Sequence, residues 1–185
     1  EGLFLHPVTK QKQHLCFTGG EPLMITGQRA VIGIYDELKK QNNLPGSMTF
    51  ETNGTQRLRP EFIEWVNSID TEVFFSVSPK LWTVAGEKPE KAIKPEVVAD
   101  YYKLSKAGQL KFVVGDADRE WNEMESVIEQ FKKAGIDYPV WVMPTGAREE
   151  EQTATAGAVA ERAFKRGYNV AARVHVYLFG NAIGT

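Results

Sequence analysis

HLCFTGGEPLM, from His14 to Met24, is the stretch from which the rest of the chain is read. Leu15-Cys16-Phe17 has the length and bulk of a buried strand, which makes the Cys16 thiol a small core residue. Gly19-Gly20 after it lets the backbone turn sharply and approach a ligand without a Cβ in the way. Pro22 fixes its own φ and biases Glu21 towards an extended conformation, so the Glu21 carboxylate and the glycine amides are expected to face one point. Such a strand end could hold something small, although a glycine turn by itself is commonly no more than a turn.

Outward from this stretch, strand and helix alternate. The spacing predicts a strand over 13–18 and a helix over about 28–40 with Val31, Ile34, Tyr35 and Leu38 on its apolar face. Met48-Thr49-Phe50 opens a second strand that runs into Glu51-Thr52-Asn53-Gly54-Thr55, and Pro60 begins a short helix carrying Phe62, Ile63 and Trp65. A third strand over 73–77 ends in Ser78-Pro79-Lys80. Residues 82–94, rich in Lys, Glu and Pro and without a period, read as a mobile excursion. A helix follows over 95–106, then a strand over 110–114 and a helix over 121–134 whose buried stripe is Met124, Val127, Ile128 and Phe131. A strand over 140–143, a helix over about 149–166 and a last strand over 170–178 complete the series. Residues 1–12 show no clear period and read as the tail of something upstream.

This order specifies an α/β fold with a parallel sheet and right-handed crossovers, each helix laying one apolar stripe on the sheet. Ligands in such folds gather at the C-terminal strand ends. The unusual short sequences fall at those ends: Gly19-Gly20-Glu21, Glu51-Thr52-Asn53-Gly54, Ser78-Pro79-Lys80, Met143-Pro144-Thr145-Gly146 and the segment after His175. Each taken singly is an ordinary loop; their common edge makes a site. In ARVHVYLF, strand alternation would turn Arg173, His175 and Tyr177 to one side, where a histidine is as readily a satisfied interior residue as a ligand contact.

Composition narrows the possibilities. At 185 residues and 42% hydrophobic content the chain suits one domain with a real core. A net charge of −2 with scattered basic residues offers no field for nucleic acid. No apolar run approaches the roughly 20 residues that span a bilayer, and no signal-peptide pattern opens the chain, so a cytoplasmic protein is expected. Cys16 is the only cysteine, which excludes an intrachain disulfide, and His6, His14 and His175 have no partner spacing that suggests zinc.

In this order and at these distances, TGGEPLM, ETNGT, SPK, MPTG and the terminal HVYLFGNAIGT resemble the 7-carboxy-7-deazaguanine synthases, a family of radical S-adenosylmethionine (SAM) enzymes, from about residue 13 to the end. TGGEP and ETNG are common to the wider superfamily; SPK, the late histidine and the GNAIGT tail point to the synthases. The resemblance implies a partial (β/α) barrel as a single domain over 1–185, with its first strand and cluster loop missing. It implies that Gly19, Gly20 and Glu21 grip the methionyl group of SAM, and that Glu51, Asn53, Ser78, Pro79, Lys80, Met143, Pro144, Thr145 and Gly146 complete the cofactor site. Thr18 and His175 would contact a pterin substrate, and Thr185 would offer it a terminal carboxylate, an acceptor well matched to the donors on a pterin edge.

The implied reaction is the ring contraction of 6-carboxytetrahydropterin with loss of ammonia. It is initiated by an electron passed from a [4Fe–4S] cluster to SAM and aided by Mg²⁺, with an electron donor such as flavodoxin and a possible homodimer as partners. The sequence departs from the family in one respect. Three closely spaced cysteines normally precede the TGGEP strand, because three thiolates hold three irons while SAM takes the fourth. None is present, and neither is the Mg²⁺ ligand expected beside them. Either an N-terminal cluster-bearing part has been lost, which the non-methionine start favours, or the chain is an inactive relative. A glycyl-radical-enzyme activase, a SAM- or pterin-binding module without chemistry, and an α/β-barrel fragment of other use are the competing readings.

Overall fold

The structure is a computed structural model that describes residues 2–180. Six strands, β1 (Leu15–Phe17), β2 (Ser47–Thr52), β3 (Glu72–Val77), β4 (Gly108–Val114), β5 (Val140–Pro144) and β6 (Asn169–Val170), form one sheet in the order of the chain. Every neighbouring pair is parallel, and β1 and β6 are left as edges, so the sheet does not close.

The crossovers are helical. Helix α1 (Ile25–Lys40) links β1 to β2, and α2 (Pro60–Ser68) links β2 to β3. Three helices, α3 (Trp82–Ala85), α4 (Pro89–Ala92) and α5 (Pro95–Leu104), lead to β4; α6 (Asp118–Lys133) and α7 (Glu149–Lys165) follow β4 and β5, and α8 (Val174–Phe179) follows β6.

Register gives the sheet two different faces. Met48, Phe50, Val73, Phe75, Val77, Leu110, Phe112, Val114 and Val142 lie on one face, all buried. They pack with Val31 and Tyr35 of α1, Phe62 and Trp65 of α2, Val97, Val98 and Tyr101 of α5, and Met124, Val127, Ile128 and Phe131 of α6. Phe50 is the centre of an aromatic run, stacked against Phe17 and Phe75 and edge-on to Phe62. The α6 stripe is the expected one. On α1 the buried positions are Gln28, Val31 and Tyr35, whereas Ile34 is exposed, because i, i+3 and i+7 track the sheet more closely than i+6 does.

On the other face the pairing aligns Cys16 with Thr49, Glu51 with Ser76, Ser76 with Gln109, and Lys111 with Trp141. That face carries polar groups that a helix-covered face could not hold. Cys16 is therefore exposed on it and is not the core residue its apolar neighbours suggested.

Two further segments depart from the sequence reading. The expected mobile excursion over 82–94 is two short helices tied to the body. Glu123 of α6 accepts from the Trp82 and Thr83 amides and the Thr83 hydroxyl, and Ala92 and Ile93 enter the core. These anchors are long-range, so local periodicity could not report them. The expected last strand over 170–178 is only β6; the Ala171 amide makes a last bond to the Val142 carbonyl, and the chain then turns into α8. An edge strand with a single neighbour gains few ladder bonds, and the apolar residues of VHVYLF suit a helix as well as a strand.

One buried polar side chain joins two of the connecting segments. Gln28 is 1% exposed; its Nε2 donates to the Leu23 carbonyl at 2.6 Å and the Arg57 carbonyl at 3.0 Å, and its Oε1 accepts from the Arg59 amide at 2.8 Å. Gln28→Met keeps the bulk but strands all three backbone groups, and is expected to cost about 2–3 kcal/mol. That corresponds to a fall of roughly 5–10 °C in melting temperature. A melt within about 1 °C of the parent would show that Gln28 does not clamp these segments.

Candidate functional site

The C-terminal ends of β1 to β5 open into one cleft of about 550 Å³. It is lined by Thr18, Gly19 and Gly20 after β1; Glu51, Thr52 and Asn53 at the end of β2; Ser78 and Lys80 after β3; Lys111 and Val113 of β4; Met143 of β5; and Ala172, Arg173 and His175 beyond β6. Ten of the residues expected from sequence are thus brought together: Thr18, Gly19, Gly20, Glu51, Asn53, Ser78, Lys80, Met143 and His175 line the cleft, and Glu21 supports it from behind. His175 reaches it from the helix α8 and is exposed.

The glycine turn takes its shape from backbone alone. Gly19 and Gly20 have φ of +83° and +55°, a region that side chains disfavour, and open space lies where a Cβ would sit on either. Neither amide finds an acceptor among the described residues. Two N–H groups are therefore available to a ligand.

Glu21 acts differently from the expectation. Its Oε1 accepts from the Thr52 hydroxyl at 2.7 Å and the Leu23 amide at 3.1 Å, and its Oε2 accepts from the Asn53 amide at 2.8 Å. The carboxylate is consumed in tying the turn after β1 to the end of β2 and does not line the cleft. Sequence could orient Glu21 by Pro22 but could not foresee donors arriving from more than thirty residues away. Pro79 and Pro144 are buried beneath the rim; Thr145 donates its amide to the Val114 carbonyl, and the Gly146 carbonyl accepts from Gln152 and Arg173, so these four shape the rim and leave the lining to Ser78, Lys80 and Met143. Asn53 spends its Oδ1 on the Thr55 amide and hydroxyl, which leaves its side-chain amide nitrogen without a partner among the described residues. Thr185 lies outside the described residues.

Lys111, Thr52 and Arg173 were not among the expected site residues. The signal for Lys111 was present: a lysine at an alternate position of the apolar run Leu110 to Val114 must lie on the non-core face. Lys111 Nζ meets Glu51 Oε1 at 3.0 Å, and the Thr18 hydroxyl donates to Glu51 Oε2 at 3.0 Å. Burial alone would raise the Glu51 carboxyl, but the Lys111 hydrogen bond and charge, the Thr18 hydroxyl and the Lys80 charge outweigh it and hold the group below its ordinary range. Desolvation of the Lys80 ammonium, then the charges of Lys111 and Arg173, pull it below its usual range, with Glu21 and Glu87 acting the other way. The cleft thus carries three cations and the single carboxylate of Glu51, a balance that favours ligands bearing carboxylates.

The described residues hold no group of three His, Cys, Asp or Glu able to bind a metal ion. Cys16 faces the open side of the sheet, and its thiol is pushed up by burial and by Glu51 against the pull of Lys111, so it is poorly disposed to act as a thiolate. A cluster requiring three thiolates does not fit these residues. No helix among them is long and apolar enough to cross a membrane.

Two solved structures of Streptococcus suis SuiB, one bound to S-adenosylmethionine, superpose on 93% of this chain with a TM-score of 0.52 at 14% and 13% identity, covering 42% and 43% of their own length. At this identity they speak to fold alone, and the fold is the open, parallel (β/α) barrel of the radical SAM class. No protein-family model matches the chain. A protein of Rhodopirellula baltica named 7-carboxy-7-deazaguanine synthase is 29% identical over 183 residues, covering 94% of this chain and 64% of the relative. One of Pyrobaculum aerophilum with the same name is 30% identical over 172 residues, covering 92% of this chain and 67% of the relative. The chain belongs to the 7-carboxy-7-deazaguanine synthase family and spans about two thirds of the length of these relatives.

Glu21→Gln keeps one accepting oxygen and turns the other into a donor, so whichever way the amide is oriented at least one of the three existing donors loses its acceptor. It is expected to cost about 1–3 kcal/mol and to speed amide hydrogen exchange at Leu23 and Asn53. Unchanged exchange at both amides would rule out the latch.

Proposed function

We propose that this chain is the SAM- and pterin-holding part of a cytoplasmic 7-carboxy-7-deazaguanine synthase, acting in queuosine-type biosynthesis. The reaction contracts the ring of 6-carboxy-5,6,7,8-tetrahydropterin with loss of ammonia. The observation that carries this reading is the pairing of two unengaged glycine amides with a cation-rich cleft at the strand ends. Membership of the synthase family, and the SAM-bound state of one SuiB structure, support it.

SAM fits this site on two counts. Its methionyl carboxylate would find the Gly20 amide, Ser78 and Lys80 together, and its ammonium would lie against the carbonyls of the glycine turn, whose course Glu21 maintains through Thr52 and Asn53. Met143 gives the opposite wall an adaptable apolar surface. When bound, SAM would supply the adenosyl group from which enzymes of this class generate a hydrogen-abstracting radical.

The protein's own contribution is binding, orientation and the exclusion of competing reactions. Thr18, His175 and the ionised Glu51 border the space left for the pterin: the carboxylate accepts ring N–H groups, and Lys111 and Arg173 offset a substrate carboxylate. A cluster held by three thiolates would need cysteines that this chain does not supply, since Cys16 is its only cysteine. Mg²⁺, an electron donor such as flavodoxin and a homodimeric assembly enter the proposal through the family alone.

The test is made with the full-length protein reconstituted anaerobically with iron and sulfide and supplied with SAM, Mg²⁺ and 6-carboxytetrahydropterin. 7-Carboxy-7-deazaguanine and ammonia are expected by mass spectrometry; SAM cleavage without ring contraction would overturn the assignment. Lys80→Ala is expected to weaken SAM binding about tenfold by calorimetry, the loss of one charge-assisted contact. Binding of equal strength would remove Lys80 from the cofactor site.

A further inference from the structure

We infer that Lys111 is a positioning residue, which holds the Glu51 carboxylate in place as an acceptor edge for the N–H groups of the substrate ring. The inference rests on the functional reading above and extends it to a residue outside the motifs that led there.

The geometry carries the argument. Glu51 is engaged at both oxygens, by Lys111 Nζ at 3.0 Å and by the Thr18 hydroxyl at 3.0 Å, and all three groups line the cleft. The Lys111 side chain is 17% exposed against 42% for Glu51, so the carboxylate is the more accessible member of the pair. A lysine on the inner face of β4 costs desolvation that an uncharged residue would avoid. Its compensation is Glu51, sixty residues away on β2, and the pair spans the intervening β3. Each carboxylate oxygen keeps lone-pair capacity for a ligand, so two fixed donors orient the group without exhausting it.

Other charged or titratable groups lie around this pair: Cys16 on β1 and Lys80 after β3 interact with it, and Arg173 before α8 and His175 on α8 line the same cleft. Lys111 is the group that most lowers the Glu51 carboxyl, and burial is the opposing influence. The sign follows. With Lys111 present, Glu51 stays ionised as pH falls through the ordinary carboxylate range; without it, burial dominates and protonation begins at higher pH.

The test uses the full-length protein under anaerobic conditions, with 6-carboxytetrahydropterin as the probe and SAM binding measured separately. Lys111→Met, which keeps the apolar stem, is expected to weaken pterin binding about tenfold at neutral pH and to move the acid limb of the affinity profile upward. Lys111→Arg is expected to restore most of the affinity and the original profile. Carbon-13 carboxyl signals, with Glu51 assigned through Glu51→Gln, give a readout that needs neither ligand nor turnover: the Glu51 titration should move up in Lys111→Met. An unchanged titration, or weakened binding with an unchanged pH profile and no rescue by arginine, would overturn the inference. If the parent protein binds SAM but no pterin, the functional reading fails, while the carboxyl titration still decides whether Lys111 holds Glu51.

Discussion

The site depends first on the Glu21 carboxylate. Three donors converge on it, one from the turn that carries it and two from the end of β2, so a single charged group joins the glycine turn to its neighbouring strand. A glycine pair has the largest conformational entropy to lose of any dipeptide, and without a tether Gly19-Gly20 would sample many turns. The carboxylate removes that freedom from below, which leaves the amides above free to meet a ligand. Gln28 repeats the device one layer further out, by joining Leu23 to the segment at Arg57 and Arg59.

The two faces of the sheet divide the remaining work. Aromatic and branched residues on the helix-covered face supply the packing, with Phe50 at the centre of the stacked and edge-on rings. The other face, freed from carrying the core, holds Thr49, Glu51, Ser76, Gln109 and Lys111 in register. Charges there interact across strands through a medium less screening than bulk water, so Lys111 and its neighbours hold the Glu51 carboxyl below its ordinary range although the group is partly exposed. Stability and chemistry thus occupy opposite sides of the same strands.

What the sequence made legible follows from the range of each signal. Five of the strands and the longer helices between them announce themselves in their apolar spacing, because one face of each is buried against a common core. The glycine and proline punctuation placed the rim residues at strand ends for the same local reason. Where the outcome hinged on a distant partner, the local signal failed: Glu123 capping α3, the edge position that shortens β6, and the open face that exposes Cys16.

By itself, then, the sequence determined the α/β order, most of the buried stripes and the short glycine and proline motifs at the strand ends, since these depend on neighbours a few residues apart. The tertiary structure alone decided that Glu21 is a latch and not a lining group, that Lys111 and Arg173 enter the cleft, and that His175 arrives on a helix. Those outcomes are set by which strands lie side by side and in what register, and no period along one segment carries that information.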